Sequence, residues 1–329
     1  MSKDQQAITR RDALKLAGGA ASLAAVGTGL PTLAQAAAPM LGVLRPQVYR
    51  FKLGSFEVTN ILDGFVQNPS LHPTFGGDQP ADAVQALARA NGIPTNFDHH
   101  YVPTLVNTGK ELVLFDTGNA KGRIPTAGKL PELLPLAGYR PEQVDIVVIS
   151  HGHPDHIGGL TEGDGGKPTY PNARYVFGEV EFDFWRKGEN VREARKADRE
   201  QFVKIAVPFG EKATFLRPEG EVVTGIRAVN AYGHSPGMLA FHVESGGQRL
   251  LVWGDVANHY VVSIQQPGWG TGFDDVKDMA IASRRRILDM VATDRIPVAG
   301  FHMPFPSLGW VEKTGTSYRW VPASYQFNL

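Results

Sequence analysis

Four residues of metal-ligand type stand within six positions of this 329-residue chain, in the segment His151-Gly152-His153-Pro154-Asp155-His156. The segment follows residues 144–150, an almost wholly apolar run whose valines and isoleucines predict a strand buried on both faces. In an extended loop, residues two apart point the same way, so His151 and His153 can reach one cation while Asp155 and His156 turn toward a second. A purely structural role is unfavourable, because burying so many adjacent titratable groups without a partner costs desolvation free energy. The segment therefore predicts a metal site at a strand end.

Three further candidate ligands lie in glycine-bearing loops that follow later β-like runs. They are His234 in residues 232–237, Asp255 in residues 253–255 and His302 in residues 300–304. Taken alone, such a histidine is more often hydrogen-bonded than ligating, and such an aspartate is more often a turn residue. Together with the first segment, they predict one metal centre where strand ends converge. The chain has no cysteine, so the ligands must be His, Asp or Glu, which suit zinc and also admit iron, manganese or cobalt.

The rest of the pattern predicts one domain built on two sheets. The β-like runs come in two batches, each followed by helical patterns, which indicates an α+β fold with two packed sheets and helices outside, in αββα layering. The expected strands are residues 48–53, 56–62, 101–107, 111–116, 144–150, 174–177, 225–230, 239–244, 249–253 and 296–301. The expected helices are residues 81–90, 179–187, 192–206 and 276–291, and the Arg284-Arg285-Arg286 run is expected to be a solvated face.

Residues 1–38 differ from the rest of the chain and resemble a twin-arginine signal peptide. Arg10-Arg11 precede a short run rich in Ala and Gly, and Ala34-Gln35-Ala36 offers a cleavage site. We therefore expect a mature domain over residues 39–329 that is periplasmic and has no membrane span. The chain has 33 Lys+Arg and 33 Asp+Glu, and this balance argues against nucleic-acid binding, which depends on surplus basic residues.

The ligand pattern resembles the metallo-β-lactamase superfamily, in which a His-x-His-x-Asp-His motif and a later His, Asp and His hold a dinuclear site. The resemblance implies an αββα sandwich with the site at one rim and two divalent metal ions, zinc by preference. It assigns one ion to His151, His153 and His234. It assigns the other to Asp155, His156 and His302, with Asp255 bridging both.

Further segments are similar to the methyl parathion hydrolase-like branch, which is itself similar to the acyl-homoserine-lactone lactonases. They include residues 105–109, 116–118, 139–145, 182–185 and 318–322, whereas residues 121–124 and 256–266 depart from that branch. This second resemblance implies a metal-dependent hydrolase of lactone, carboxyl-ester or phosphotriester bonds in small apolar molecules. A homodimer is the assembly that it suggests.

The expected chemistry assigns roles to five side chains. Two metals would share a bridging hydroxide as the nucleophile, and Asp155 or Asp255 would accept and return a proton. Trp185 and Phe202 are expected to form an apolar wall of the substrate pocket, and Tyr260 to donate a hydrogen bond to an oxyanion. The other histidines, His72, His99, His100, His242 and His259, are expected at the surface or behind the ligands.

Several other interpretations are compatible with parts of the pattern. A β-lactamase or thioester hydrolase of the same fold shares the metal motif, and a mononuclear iron oxygenase would leave the second set of ligands unused. A periplasmic metal- or solute-binding protein would take up metal without catalysis. The segment Gly233-His234-Ser235-Pro236-Gly237 matches the Gly-x-Ser-x-Gly elbow of serine hydrolases. That elbow needs a backbone N–H after the serine, and Pro236 has none.

Overall fold

A computed structural model describes residues 38–94, 96–323 and 327–329. The chain divides into two units between Leu44 and Arg45, and of the first unit only residues 38–44 are described. In the first unit, described residues 38–44 have no regular secondary structure, and the expected signal peptide lies outside the described residues except for Ala38. Export and the domain boundary at residue 39 therefore stay predictions. Among the described residues, none of the helices combines the length and apolarity that crossing a membrane requires.

The second unit contains strands and helices in alternating groups. The strands are β1 (Val48–Leu53), β2 (Phe56–Ile61), β3 (Gly64–Asn68), β4 (Phe97–Tyr101), β5 (Thr104–Asn107), β6 (Leu112–Phe115), β7 (Ile146–Ile149), β8 (Arg174–Gly178), β9 (Thr214–Leu216), β10 (Glu221–Val223), β11 (Ile226–Asn230), β12 (Leu239–Ser245), β13 (Gln248–Val252), β14 (Val298–Ala299), β15 (Leu308–Thr314) and β16 (Ser317–Pro322). The helices are α1 (Ala81–Ala90), α2 (Leu130–Leu133), α3 (Pro154–Ile157), α4 (Glu179–Lys187), α5 (Lys196–Ile205), α6 (Val262–Gln265) and α7 (Lys277–Thr293).

Two seven-stranded sheets pack face to face with helices on their outer faces. Their strand orders are β1-β2-β5-β6-β7-β8-β9 and β10-β11-β12-β13-β14-β15-β16, and β3 pairs with β4 separately. Phe115 of the first sheet meets Phe241 of the second, with ring centroids 5.2 Å apart. Trp185 of α4 packs behind the first sheet and Ile287 of α7 behind the second. The αββα sandwich expected from the sequence is confirmed.

The residues of strand β7 are all apolar because the strand is covered on both faces. Val148 lies in the core between the sheets, whereas Val147 and Ile149 lie in the core under the helices. Successive side chains of a strand point to opposite faces, so a strand covered on both sides needs apolar residues throughout. The predicted double burial is confirmed.

Three expected element boundaries and one expected exposure were wrong. Residues 101–107 form the end of β4 and the whole of β5, because Pro103 between them lacks a donor for a strand ladder. The strand expected at 296–301 is only Val298–Ala299, and the helix expected at 192–206 begins as a short 3-10 turn, Glu193–Arg195. Arg284 is not solvated: it is 1% exposed and bonds Asp274 Oδ2 at 2.8 Å.

The topology brings several strand ends to one rim. β6 and β7 are parallel, and so are β13 and β14. β11 and β13 each pair antiparallel with β12, so they run in the same direction. The loops after β6 and β7 therefore leave one edge of the first sheet, and the loops after β11, β13 and β14 leave one edge of the second. These two edges adjoin, because His151 after β7 lies beside His234 and Asp255 after β11 and β13.

Candidate metal centre

The seven side chains predicted as ligands converge at this rim in two groups. Potential donor atoms lie within 4.8 Å of one another in each group, and the groups are His151, His153, His234 and Asp255, and Asp155, His156 and His302. Asp155 and His156 face the rim because α3 begins there with Pro154 at its first position, where a proline fits without loss of a hydrogen bond. The structure thus brings the seven predicted side chains together, and their role as metal ligands stays a prediction.

Distances within the first group fit a single tetrahedral cation. Ligands bound at about 2.0–2.1 Å to one such ion are about 3.3–3.4 Å apart. His153 Nδ1 lies 3.0 Å from both His151 Nε2 and His234 Nε2. Asp255 Oδ2 lies 3.1 Å from His234 Nε2 and 3.9 Å from His151 Nε2.

Asp255 also faces the second group, as the expected bridge requires. Its Oδ1 lies 3.2 Å from His156 Nε2, and its Oδ2 lies 3.1 Å from His302 Nε2. Asp155 Oδ2 is 3.5 Å from His302 Nε2. Among the described residues, His156 Nε2 and Asp255 Oδ1 are buried without a hydrogen-bond partner. Buried polar atoms are normally satisfied, and a shared cation would satisfy both.

Each of the five histidines turns one ring nitrogen to the centre and donates the other to an oxygen behind it. Such bonds set the tautomer and the ring orientation, and this arrangement is typical of ligating histidines. The five bonds run from His151 Nδ1 to Ser150 Oγ (3.0 Å), His153 Nε2 to Asp275 Oδ2 (3.0 Å), His156 Nδ1 to Asp116 Oδ2 (2.8 Å), His234 Nδ1 to Asp274 Oδ1 (3.0 Å) and His302 Nδ1 to the His100 carbonyl oxygen (2.7 Å).

The electrostatic environment keeps His153 neutral and favours positive charge beside His234. Burial lowers the pKa of His153 to about 4, so that its imidazole is neutral at pH 7. Burial also acts to lower the pKa of His234, but Asp255 and Asp274 outweigh it and hold that pKa at about 9. The negative field that stabilises a proton on His234 also stabilises a metal cation beside it. The donor set therefore fits two divalent metal ions, zinc by preference.

Sequence reasoning missed the carboxylates behind the histidines. Asp116 follows β6 with φ 60°, a left-handed conformation that aspartate tolerates better than most residues. Its side chain accepts hydrogen bonds from Ser150 N and Ser150 Oγ, both at 2.8 Å. An aspartate at the end of a buried strand is a recognisable signal. Asp274 and Asp275 have no comparable signal, because they reach the site only through the tertiary fold.

A cavity of about 230 Å³ opens onto the donors, and its lining includes Val66, His99, Tyr101, Arg123, Arg195 and Phe273. His99 was expected at the surface or behind the ligands, but it lines the cavity, and its ring stacks on that of His302 with centroids 4.1 Å apart. Strand β4 alternates between buried and half-buried residues, so His99 and Tyr101 share its inner face. That alternation was the available signal.

The three expected substrate-binding residues do not line this cavity. Trp185 and Phe202 are both 0% exposed, because α4 and α5 bury their apolar faces against the first sheet. Tyr260 stacks on His259 with ring centroids 4.7 Å apart, and it is half-buried in another part of the core. Trp185 and Phe202 are therefore not part of the cavity wall, and Tyr260 does not face the cavity to donate a hydrogen bond to an oxyanion.

An αββα sandwich with two such donor groups at one rim defines a metal-dependent hydrolase. The chain belongs to the metallo-beta-lactamase superfamily, whose family model matches residues 101–298. It is 24% identical over 209 residues to an N-acyl homoserine lactonase of Bacillus cereus, covering 60% of this chain and 75% of that relative.

Two solved structures share most of the fold. One is AidC, a dizinc quorum-quenching lactonase in complex with a product, N-hexanoyl-L-homoserine, with a TM-score of 0.78, 25% identity, and coverage of 84% of this chain and 97% of that one. The other is the hydrolase AbOPH of the beta-lactamase superfamily, with a TM-score of 0.78, 25% identity, and coverage of 85% and 98%. The expected family and the expected cofactors, two divalent metals, are confirmed.

Proposed function

We propose that the protein hydrolyses the lactone ring of N-acyl homoserine lactones or of closely similar small lactones. The observation that carries this proposal is the pair of donor groups joined by Asp255 beneath a cavity of about 230 Å³. That volume is below the roughly 300–1,000 Å³ typical of sites for drug-sized ligands, so it suits a small ring with an attached chain that extends outward. The lactonase activity of the Bacillus cereus relative and the product bound to AidC support the same substrate class.

Two divalent cations would be held by the two donor groups, with Asp255 between them. When bound, such ions generate a nucleophile from water at neutral pH and polarise the carbonyl oxygen of the substrate. The protein contributes a fixed donor geometry through the bonds that orient the five histidines.

The two carboxylates proposed as catalytic differ in their access to substrate. The Asp155 side chain is 17% exposed and the Asp255 side chain 3% exposed. Both line the cavity, but the more accessible carboxylate of Asp155 is better placed to pass a proton to the leaving oxygen of the opened ring. Asp255 is held between the donor groups and acts mainly by fixing them.

The cavity walls provide positions for the substrate. Val66 and Phe273 offer apolar contacts for an acyl chain. Tyr101 lies edge-on to His302 with ring centroids 5.6 Å apart. Burial and then the charge of Asp155 raise the pKa of Tyr101, so its hydroxyl stays protonated and can donate to an oxygen that gains negative charge.

A substrate panel tests this proposal. Zinc-loaded protein is assayed with N-acyl homoserine lactones, p-nitrophenyl esters, methyl parathion and nitrocefin, with an Asp255→Ala variant as the background. We expect lactone opening with the highest kcat/KM of the panel. Faster turnover of the phosphotriester, the ester or the β-lactam would reassign the substrate, and metal uptake without turnover would indicate a binding protein.

The cellular location and the oligomeric state are proposed from the sequence alone. We propose periplasmic export through Arg10-Arg11 and a homodimeric mature protein, both on the resemblances of the sequence. Cell fractionation of an Arg10→Lys/Arg11→Lys variant tests the first, and the molar mass in solution tests the second. Cytoplasmic retention of the wild type or a monomeric mass would contradict them.

A further inference from the structure

A buried carboxylate lies behind the metal centre and bonds to none of the seven donors among the described residues. Glu181 of α4 is 1% exposed. Its Oε1 accepts hydrogen bonds from Gly152 N at 2.8 Å and Trp185 Nε1 at 2.6 Å. The same oxygen accepts a bond from Ser235 Oγ, and Oε2 accepts one from Gly237 N at 2.8 Å.

Three of these four partners belong to the two loops that carry the histidines of the first donor group, and the fourth, Trp185, lies on α4 itself. Gly152 stands between His151 and His153, whereas Ser235 and Gly237 follow His234. The first loop leaves β7 and the second leaves β11, so they come from different sheets. One carboxylate therefore joins two ligand loops that are separated by about 80 residues of chain.

Helix α4 approaches both loops so closely that only glycine fits at the contact. A Cβ at Gly152 would lie 2.5 Å from Trp185 Cδ1, and a Cβ at Gly237 would lie 2.2 Å from Glu181 N. The indole of Trp185 also packs edge-on against the His153 ring, with centroids 5.7 Å apart. The loops are thus seated directly on the helix, and little movement is open to them.

We propose that Glu181 is a positioning residue that sets the separation of His151 and His153 from His234 and thereby the affinity of the first metal position. The inference rests on the proposed metal centre. All four partners of Glu181 are donors, which a carboxylate can match because it only accepts hydrogen bonds. An amide in its place would direct an NH₂ group at one of these donors. Outer partners of metal ligands typically change metal affinity about 10–100-fold when they are altered.

The Glu181→Gln variant tests this role by metal titration. Metal-free protein is titrated with zinc against a chromophoric chelator, and the cobalt(II) absorption spectrum reports the geometry of the first position. We expect one zinc to bind about 10–100-fold more weakly than in the wild type and the other with unchanged affinity. The cobalt bands should change in the same variant.

Asp63→Asn is the matched control. Asp63 is also buried, at 0% exposure, and accepts backbone bonds from Asn119 and Gly128, both at 3.0 Å, and from Leu130 at 2.8 Å, none of which adjoins a predicted ligand. This variant should lose stability but keep both zinc affinities. If Glu181→Gln loses stability in the same way while both affinities stay within twofold of the wild type, the role is structural and the proposal fails.

Two further measurements keep the test decisive. If Glu181→Gln does not fold, Ser235→Ala removes a single donor to the same carboxylate and should weaken the same zinc, and unchanged affinity there overturns the proposal. The wild type is titrated and assayed in parallel. A wild type that binds two zinc ions and opens lactones leaves the proposed function standing whatever the variants show.

Discussion

Gly152 offers a direct test of how tightly the ligand loop is seated. In Gly152→Ala, the new Cβ would lie 2.5 Å from Trp185 Cδ1, 2.6 Å from Trp185 Nε1 and 2.9 Å from Phe202 Cδ2. Both rings are 0% exposed, so neither can swing away into solvent. Carbon atoms are comfortable at about 3.5–4.0 Å, and the loop must therefore retreat by about 1 Å.

The retreat has two measurable consequences. Overpacking of a filled core costs about 1–3 kcal/mol of unfolding free energy, which urea unfolding can measure. A misplacement of about 1 Å at a catalytic group can cost about 100-fold in rate, and His151 and His153 flank the substituted residue. We therefore expect kcat/KM for lactone opening to fall by about 100-fold, together with weaker zinc binding.

Gly272→Ala is the control for this prediction. A Cβ at Gly272 meets its nearest neighbour, Thr74 O, at 3.4 Å, which is ordinary contact. The control should stay within about 0.5 kcal/mol of the wild type and keep its activity. Wild-type zinc content and activity in Gly152→Ala would refute the reasoning, because they would show that the loop tolerates the displacement.

The remaining predictions concern the metal centre, the cavity and the buried carboxylate. Asp255→Ala should bind fewer than two zinc ions by elemental analysis and lose at least about 100-fold in kcat/KM, since a catalytic metal supplies several kcal/mol of transition-state stabilisation; two retained ions would contradict the bridging role. Tyr101→Phe should keep its zinc but lose about 100-fold in kcat, as expected for the loss of one hydrogen-bond donor to a developing oxyanion. An unchanged kcat would contradict this role of the Tyr101 hydroxyl. Burial raises the pKa of Glu181 above its ordinary 4.5, so the folded protein retains a proton there over a pH range in which the unfolded chain has lost it. The unfolding free energy of the metal-free protein should therefore fall as pH rises through that range, by about 1.4 kcal/mol per unit of pKa difference. Urea unfolding across that pH range should show no such decrease in Glu181→Gln. Equal slopes of unfolding free energy against pH in the two proteins would contradict the titration of a buried Glu181 carboxyl group.

The sequence predicted the donors because each follows a strand end within a few residues. His151 comes two residues after β7, and His302 comes three after β14. Parallel strands carry their ends to one edge, so strand direction alone brings such residues together. The layering was predicted from the β-like runs, which come in two batches that are each followed by helical patterns.

The side chains that surround the donors depend on long-range packing and were harder to predict. Trp185 and Phe202 are aromatic residues of the type that lines ligand pockets, yet they are completely buried on α4 and α5. Arg284 stands in a basic run, but the fold turns it inward to Asp274. A local sequence pattern cannot distinguish an aromatic residue that packs in the core behind a ligand loop from one that lines the cavity on the other side of that loop, because both positions are apolar.

Anomalous diffraction at the zinc absorption edge, from crystals of the zinc-loaded protein, tests the metal centre most directly. We expect two peaks at the rim, one among His151, His153 and His234 and one among Asp155, His156 and His302. Each peak should lie about 2.0–2.2 Å from its nitrogen and oxygen donors, with Asp255 between the two. A single peak, or peaks away from these side chains, would contradict the account.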